Sequence, residues 1–189
     1  QLRFDAQNMT DEVAGNSWTL GSGNTFTQGF ESGYGLKMGG VAAPSITKTL
    51  NLYGNIVTMS AWIKLNAYGQ YEGVLYAGSL GSNTNRDNLY VYPDGELRVY
   101  RQAGTNTGTT ISTGYIVPLN EWIHVAYERD GVNQRVFVNH VLISADINTA
   151  NLTPVSNVYI GGNRSGGVAI YSKLEFDNVL ITLGSNRFS

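Results

Sequence analysis

Apolar and polar residues alternate over short runs along this chain, and Gly, Asn, Asp or Ser interrupts them every several residues. That period of two predicts β-strands, and the 3.6-residue spacing of helices is missing almost everywhere. The clearest run is IVTMSAWIKL. It puts Val57, Met59, Ala61, Ile63 and Leu65 on one face and Thr58, Ser60, Trp62 and Lys64 on the other. The first set is expected to point between two sheets.

NLYVYPDGELRVYR predicts a hairpin, because Asp94-Gly95 separates two alternating arms and suits the positive backbone angles of a tight turn that Pro93 begins. Leu89 and Val91 match Leu97 and Val99 on one face of that hairpin. Tyr90, Tyr92, Arg98 and Tyr100 then gather on the opposite face. EWIHVAYERDGVNQRVFVNHVLI predicts a meander, with a turn at Asp130-Gly131 and a tight corner at Asn139-His140. VSNVYIGGN supplies a further strand. SKLEFDNVLITL supplies a terminal one, expected to hold Leu174, Phe176, Asn178 and Leu180 on one side and Glu175, Asp177, Val179 and Ile181 on the other. The Gly/Thr/Asn-rich stretches around 20–35, 79–88 and 102–114 are expected to be exposed connections. With no linker, composition break or repeat, residues 1–189 are expected to form one all-β, two-sheet antiparallel sandwich.

At 189 residues and 42% hydrophobic content, such a sandwich can bury a core without covalent staples. The chain has no cysteine, so disulfides, thiolate metal sites and cysteine nucleophiles are excluded. A net charge of -2 with only 14% charged residues leaves no basic footprint for nucleic acid. No stretch approaches the length of a membrane-spanning apolar helix, so membrane insertion is not expected. Few charges and many Asn, Thr, Gly and Tyr residues describe a β-rich surface protein.

The order MSAWIKL, DNLYVYPDGELRVY, EWIHVAYERDGVNQRVFVNHVLI, VYIGG, LEFDNVLI resembles the LamG-like jelly-roll domains. Those belong to the concanavalin A-like lectin/glucanase superfamily, laminin G type 3 or pentraxin-like branch. There a "tiSAWvk" strand precedes "W-x-HVA-x-x-x-DG", a "vyVNG" corner, "l-x-iGg" and a closing "iDeV" strand. The likeness runs from about Leu2 to Leu183. Three departures stand out. Asn139-His140 replaces the Asn-Gly corner, which strains His140 if its backbone is left-handed. Asn178 stands where an acidic residue is usual. The cysteine pair of many animal laminin-G domains is absent, which favours a bacterial or viral variety.

The resemblance implies several candidate chemistries. Hydrolases of this superfamily carry a Glu-x-Asp-x-x-Glu strand, but Glu175-Phe176-Asp177 lacks the second glutamate, so a non-catalytic role is expected. A structural Ca²⁺ is implied at Asp5, Gly35 and Asp177, with backbone carbonyls completing the shell. The alternative there is that Asp5 and Asp177 cap backbone groups or face solvent. Tyr90, Tyr92, Arg98 and Tyr100 could form a saccharide surface or simply clothe a sheet, since tyrosine favours strands. Trp62 and Trp122 coincide with family landmarks and are expected to pack. His124 and His140 lack a zinc-like partner set and are expected to be a strand and a corner residue. GGNRSGG is expected to be a loop between strands.

The expected function is a carbohydrate- or receptor-binding module of an extracellular, cell-surface or virion-surface protein, its partner a glycan or surface receptor. The alternative is a structural domain of a phage tail, capsid decoration or adhesin that meets neighbouring structural proteins and binds no sugar.

Overall fold

A computed structural model of the chain describes residues 23–30, 33–39, 46–52, 56–78, 85–104, 108–147, 155–165 and 168–183. The strands, in chain order, are β1 (Thr25–Gln28), β2 (Tyr34–Lys37), β3 (Ile46–Leu52), β4 (Ile56–Lys64), β5 (Glu72–Gly78), β6 (Arg86–Val91), β7 (Glu96–Gln102) and β8 (Gly108–Ile116). They continue with β9 (Trp122–Asp130), β10 (Asn133–Val138), β11 (Val141–Ile147), β12 (Val155–Ile160), β13 (Gly162–Ser165), β14 (Val168–Tyr171) and β15 (Glu175–Leu183). The described residues contain no helix. One antiparallel sheet has seven strands in the order β1-β2-β15-β4-β9-β10-β11, and a second has six in the order β3-β12-β5-β6-β7-β8.

The apolar positions read from the alternation do face inward. Val57, Met59, Ala61, Ile63 and Leu65 of the β4 run are buried, joined by Val125 and Phe176 from the same sheet and by Leu75, Leu89, Leu97 and Val99 from the other. Each such aliphatic or aromatic side chain removed from water stabilises the fold by about 1.5–3 kcal/mol.

All three predicted turns form, the one at Asp130-Gly131 joining β9 to β10 with Gly131 at φ 57°. At the β6–β7 hairpin Gly95 N–H donates to the Tyr92 carbonyl (2.8 Å), and Gly95 has φ 94°. A positive φ there is what glycine tolerates after a Pro-Asp pair. At the β10–β11 corner Asn139 and His140 have φ 48° and 66°, so His140 does carry the left-handed strain that a glycine would avoid, about 1–2 kcal/mol.

Three expectations are corrected. The closing strand does not keep one parity. Its pairing with β4 slips between Asp177 and Leu180, and Asn178 has φ 46°. This β-bulge turns Val179 and Ile181 toward the core and takes Asn178 and Leu180 out of it. GGNRSGG is not a simple loop: Gly162–Ser165 pairs with Val168–Tyr171 as the β13–β14 hairpin, which packs against β5. The stretches around 20–35, 79–88 and 102–114 are only partly connections, since they contain β1, the start of β2, the start of β6 and most of β8.

A charged group that the sequence reading did not single out lies between the sheets. Asp87, Arg101 and Arg129 are each at most 3% exposed. Arg129 Nε lies 3.2 Å from Asp87 Oδ2 and Arg101 Nε 3.9 Å from Asp87 Oδ1. The Tyr127 hydroxyl beside them donates to Gln134 Oε1 at 3.0 Å. Charges removed from water this completely persist only when paired.

Candidate functional site

Strand alternation fixes which side chains leave the six-stranded sheet on its outer face. Leu75, Leu89, Val99 and Ile111 point inward, so Tyr76, Asn88, Tyr100 and Thr110 beside them point out. The ladder registers then align Tyr159, Tyr76, Asn88, Tyr100 and Thr110 in one row across β12, β5, β6, β7 and β8. In the row beside it Tyr90 faces Arg98, which faces Ser112. Tyr76 and Tyr159 meet edge to face with centroids 5.9 Å apart.

The four residues singled out from the sequence are therefore on one face. Their environments differ. Tyr92, Arg98 and Tyr100 are half-buried, whereas Tyr90 is only 7% exposed and is no open ring surface. Burial raises the Tyr90 phenol above its ordinary value, against the Arg98 charge and a hydrogen bond with Thr110. Tyr90 thus supports the face more than it displays one.

Tyr71, which the sequence reading missed, completes the cluster. Its ring stacks beside Tyr90 at 6.4 Å and meets Tyr92 edge-on at 5.0 Å. A hydrogen bond with Tyr71 raises the Tyr92 phenol. Arg98 lies over Tyr92, its guanidinium carbon 3.7 Å from the ring centroid, and Arg86 lies over Tyr100 at 4.5 Å. Glu96 fixes Arg98 through Nε at 2.6 Å. Burial opposes ionisation of Glu96, but hydrogen bonds from Ser112, the Gly114 amide and Arg98 outweigh it and hold the carboxyl below the usual carboxylate range. Two guanidinium–aromatic pairs and locked rotamers make a rigid surface of flat apolar area edged with hydrogen-bond donors.

The calcium expectation meets a different geometry. Asp177 accepts hydrogen bonds from the amides of Phe30 at Oδ2 (2.9 Å) and Asn178 at Oδ1 (2.7 Å). Gly35 borders the same turn, where a Cβ would come 2.9 Å from the Phe176 carbonyl oxygen, so close strand packing explains the glycine. Asp5 lies outside the described residues. Among the described residues no group of three His, Cys, Asp or Glu side chains could hold a metal ion. Gly35 and Asp177 alone fall short of the six to eight oxygens that calcium takes.

Glu175 and Asp177 leave β15 on one face, and both are engaged. Glu175 accepts from Lys64 Nζ and Asn66 Nδ2, each at 3.3 Å. Val179, near where a second carboxylate would be needed, belongs to the core. The described residues of β15 thus present no pair of free carboxylates for retaining glycoside chemistry.

Trp62 and Trp122 pack outside the sandwich core, on the outer face of the seven-stranded sheet. Trp62 stacks on Phe30 at 3.5 Å and meets His124 edge-on, while Lys64 lies over Trp122. His124 and His140 are strand and corner residues as expected, yet the corner stacks their rings at 4.7 Å.

The profile of laminin G type 3 domains, in the concanavalin A-like lectin/glucanase superfamily, matches residues 37–181. The chain belongs to this family. Solved structures agree on the fold. Domain 4 of the extracellular arabinanase AbnA from Geobacillus stearothermophilus, in complex with arabinotriose, superposes with a TM-score of 0.71 at 17% identity, covering 94% of this chain and 91% of its own. The binding domain of Paraclostridial Mosquitocidal Protein 1 gives a TM-score of 0.77 at 13% identity, covering 99% of this chain and 49% of its own. The heptameric SAP-like pentraxin of Limulus polyphemus gives 0.55 at 17% identity, covering 84% and 74%. This laminin-G-like chain spans about half the length of the mosquitocidal protein's binding domain. No curated protein sequence matches it.

Proposed function

We propose that this laminin-G-like domain is a non-catalytic carbohydrate-binding module, displayed outside the cell or on a virion surface, and that it grips glycans on the outer face of its six-stranded sheet. The carrying observation is the clamped cluster of Tyr71, Tyr92, Tyr100 and Arg98, which combines ring faces with a guanidinium donor in a fixed position, with the buried Arg86 supporting the Tyr100 ring. Sugar rings offer apolar C–H faces and peripheral hydroxyls, the complement of that surface. AbnA domain 4, a structure of the same fold, is a complex with arabinotriose, which supports the reading.

A glycan array probed with the wild-type domain and with Tyr92→Ala/Tyr100→Ala tests it. At least tenfold weaker binding by the folded variant supports the site. Equal binding removes these tyrosines from it, and a wild-type domain that binds no glycan overturns the function.

One observation favours a second reading, an assembly domain that meets neighbouring structural proteins. β11 is an edge strand, and its Val141, Leu142 and Ile147 are 64%, 51% and 68% exposed. Open edges with apolar side chains invite pairing with another chain. Sedimentation of the isolated domain as a stable oligomer would support it, and a monomer that binds glycans would remove it. A structural calcium at Asp5, Gly35 and Asp177 remains part of the proposal, with Asp5 needed to extend the donor set.

A further inference from the structure

A cleft of about 570 Å³ opens at one end of the sandwich, and its lining includes none of Tyr71, Tyr92, Tyr100, Arg86 or Arg98. Both sheets build it. The seven-stranded sheet contributes Thr25 and Lys37 from β1 and β2, the six-stranded sheet contributes Glu72 at the start of β5, and the β4–β5 connection contributes Asn66, Tyr68 and Gln70. Lys173, just before β15, completes the lining.

The wall carrying Tyr68 is held at three points. Its hydroxyl donates to the Val117 carbonyl at 2.8 Å, the Gly69 amide donates to the Pro93 carbonyl at 2.7 Å, and Gly95 leaves room for the ring where any Cβ would overlap it. Tyr68 nevertheless stays 41% exposed. An aromatic ring fixed in rotamer with one side open costs little entropy to use as a binding surface.

Glu72 is equally fixed and only half used. Its Oε2 accepts from Ser172 Oγ at 2.9 Å and from the Lys173 amide at 2.6 Å. Its Oε1 has no partner among the described residues. A carboxylate oxygen that lines a cleft accepts readily from hydroxyls. Lys37 and Lys173 are exposed at the rim. Glu175, beside Lys37 in the ladder, is already taken by Lys64 and Asn66. Two ammonium groups against one carboxylate leave the cleft net positive.

We propose that this cleft is a second saccharide site that takes an acidic sugar unit, its carboxylate meeting Lys37 and Lys173, its hydroxyls Glu72 and Gln70, and its apolar ring face Tyr68. A hydroxyl acceptor, a fixed ring and paired cations in one concavity match a uronic-acid type of sugar better than a neutral sugar or a simple anion. The site shares a ligand class with the tyrosine face but none of the residues that carry that reading.

The test is an amide chemical-shift titration of the whole chain with trigalacturonic acid, maltotriose and sodium acetate. Trigalacturonic acid is expected to shift Gln70, Glu72 and Lys173. Lys37→Ala/Lys173→Ala should weaken it tenfold or more, whereas Tyr92→Ala/Tyr100→Ala should not. Maltotriose and acetate should each bind there at least tenfold more weakly. No shift at these amides, an unchanged affinity in the lysine variant, or acetate binding as tightly as the sugar overturns the proposal. Glycan binding at the tyrosine face with a silent cleft removes only the second site. A responsive cleft with a silent tyrosine face removes only the first.

Discussion

The ring of His140 stacks on that of His124, with centroids 4.7 Å apart and planes within 15°. Burial first, and the charge of His140 second, lower the His124 pKa to about 4. The folded protein therefore keeps His124 neutral down to that pH, while the unfolded chain protonates it near its ordinary value of about 6.5. Between those limits the unfolded state binds the extra proton, so this contribution to stability falls as pH drops from about 6.5 to about 4 and levels off below. His140→Gly removes the second cause and the left-handed strain together. Melting followed against pH should show a gentler acid slope in the variant, and imidazole proton resonances should place His124 higher than in the wild type but still below its ordinary value. A His124 that titrates at its ordinary value in both proteins would defeat this account.

Asp87 lies between two buried guanidinium groups, so its removal takes a buried counter-charge from both. Asp87→Ala is expected to cost about 3–5 kcal/mol, since uncompensated buried charge is the penalty, not the loss of one attractive contact. Urea denaturation gives the value. A loss below about 1 kcal/mol would mean that Arg101 and Arg129 find water or other acceptors once Asp87 is gone.

That triad shows how far the sequence could be read. Parity counted from Leu89 to Asp87, from Val99 to Arg101 and from Val125 to Arg129 already turns all three charges inward. Strand alternation carried the core, the three turns and the shared face of Tyr90, Arg98 and Tyr100, because each depends on neighbours a few residues apart. It failed at Asn178, where one bulged residue reverses every later side chain and leaves no mark in the spacing. Tyr71 and the cleft around Tyr68 and Glu72 lay out of reach for another reason. Tyr71 stands just before β5, outside the hairpin run that carries Tyr90 and Tyr92, and meets them only through the pairing of β5 with β6. The cleft joins residues from both sheets and from stretches far apart in the chain.

Asp177 offers a way to separate two structural roles. Its carboxylate caps the amides of Phe30 and Asn178, and it is 2% exposed. Asp177→Ala leaves two amides without acceptors and is expected to cost about 1–3 kcal/mol in the presence of a chelator. If calcium also binds here, the wild type alone should melt higher when calcium is added. Equal melting of the wild type with calcium and with chelator would remove the ion and leave the cap.

Gly108 gives access to Tyr100 without removing it. A Cβ at Gly108 would overlap the Tyr100 hydroxyl end, and Gly108 is not among the glycines with positive φ. Gly108→Ala therefore asks nothing unusual of the backbone of β8 and displaces one half-buried side chain, whose ring end it overlaps. Stability should change by no more than about 0.5 kcal/mol, as at other surface positions. Tyr100, however, must swing away from Arg86, its partner at 4.5 Å, and leave the row it shares with Asn88 and Thr110. If glycans rest on that ring, isothermal titration should show several-fold weaker binding with an unchanged melting temperature. Full affinity in a variant whose Tyr100 resonances have moved would place the sugar elsewhere on the domain.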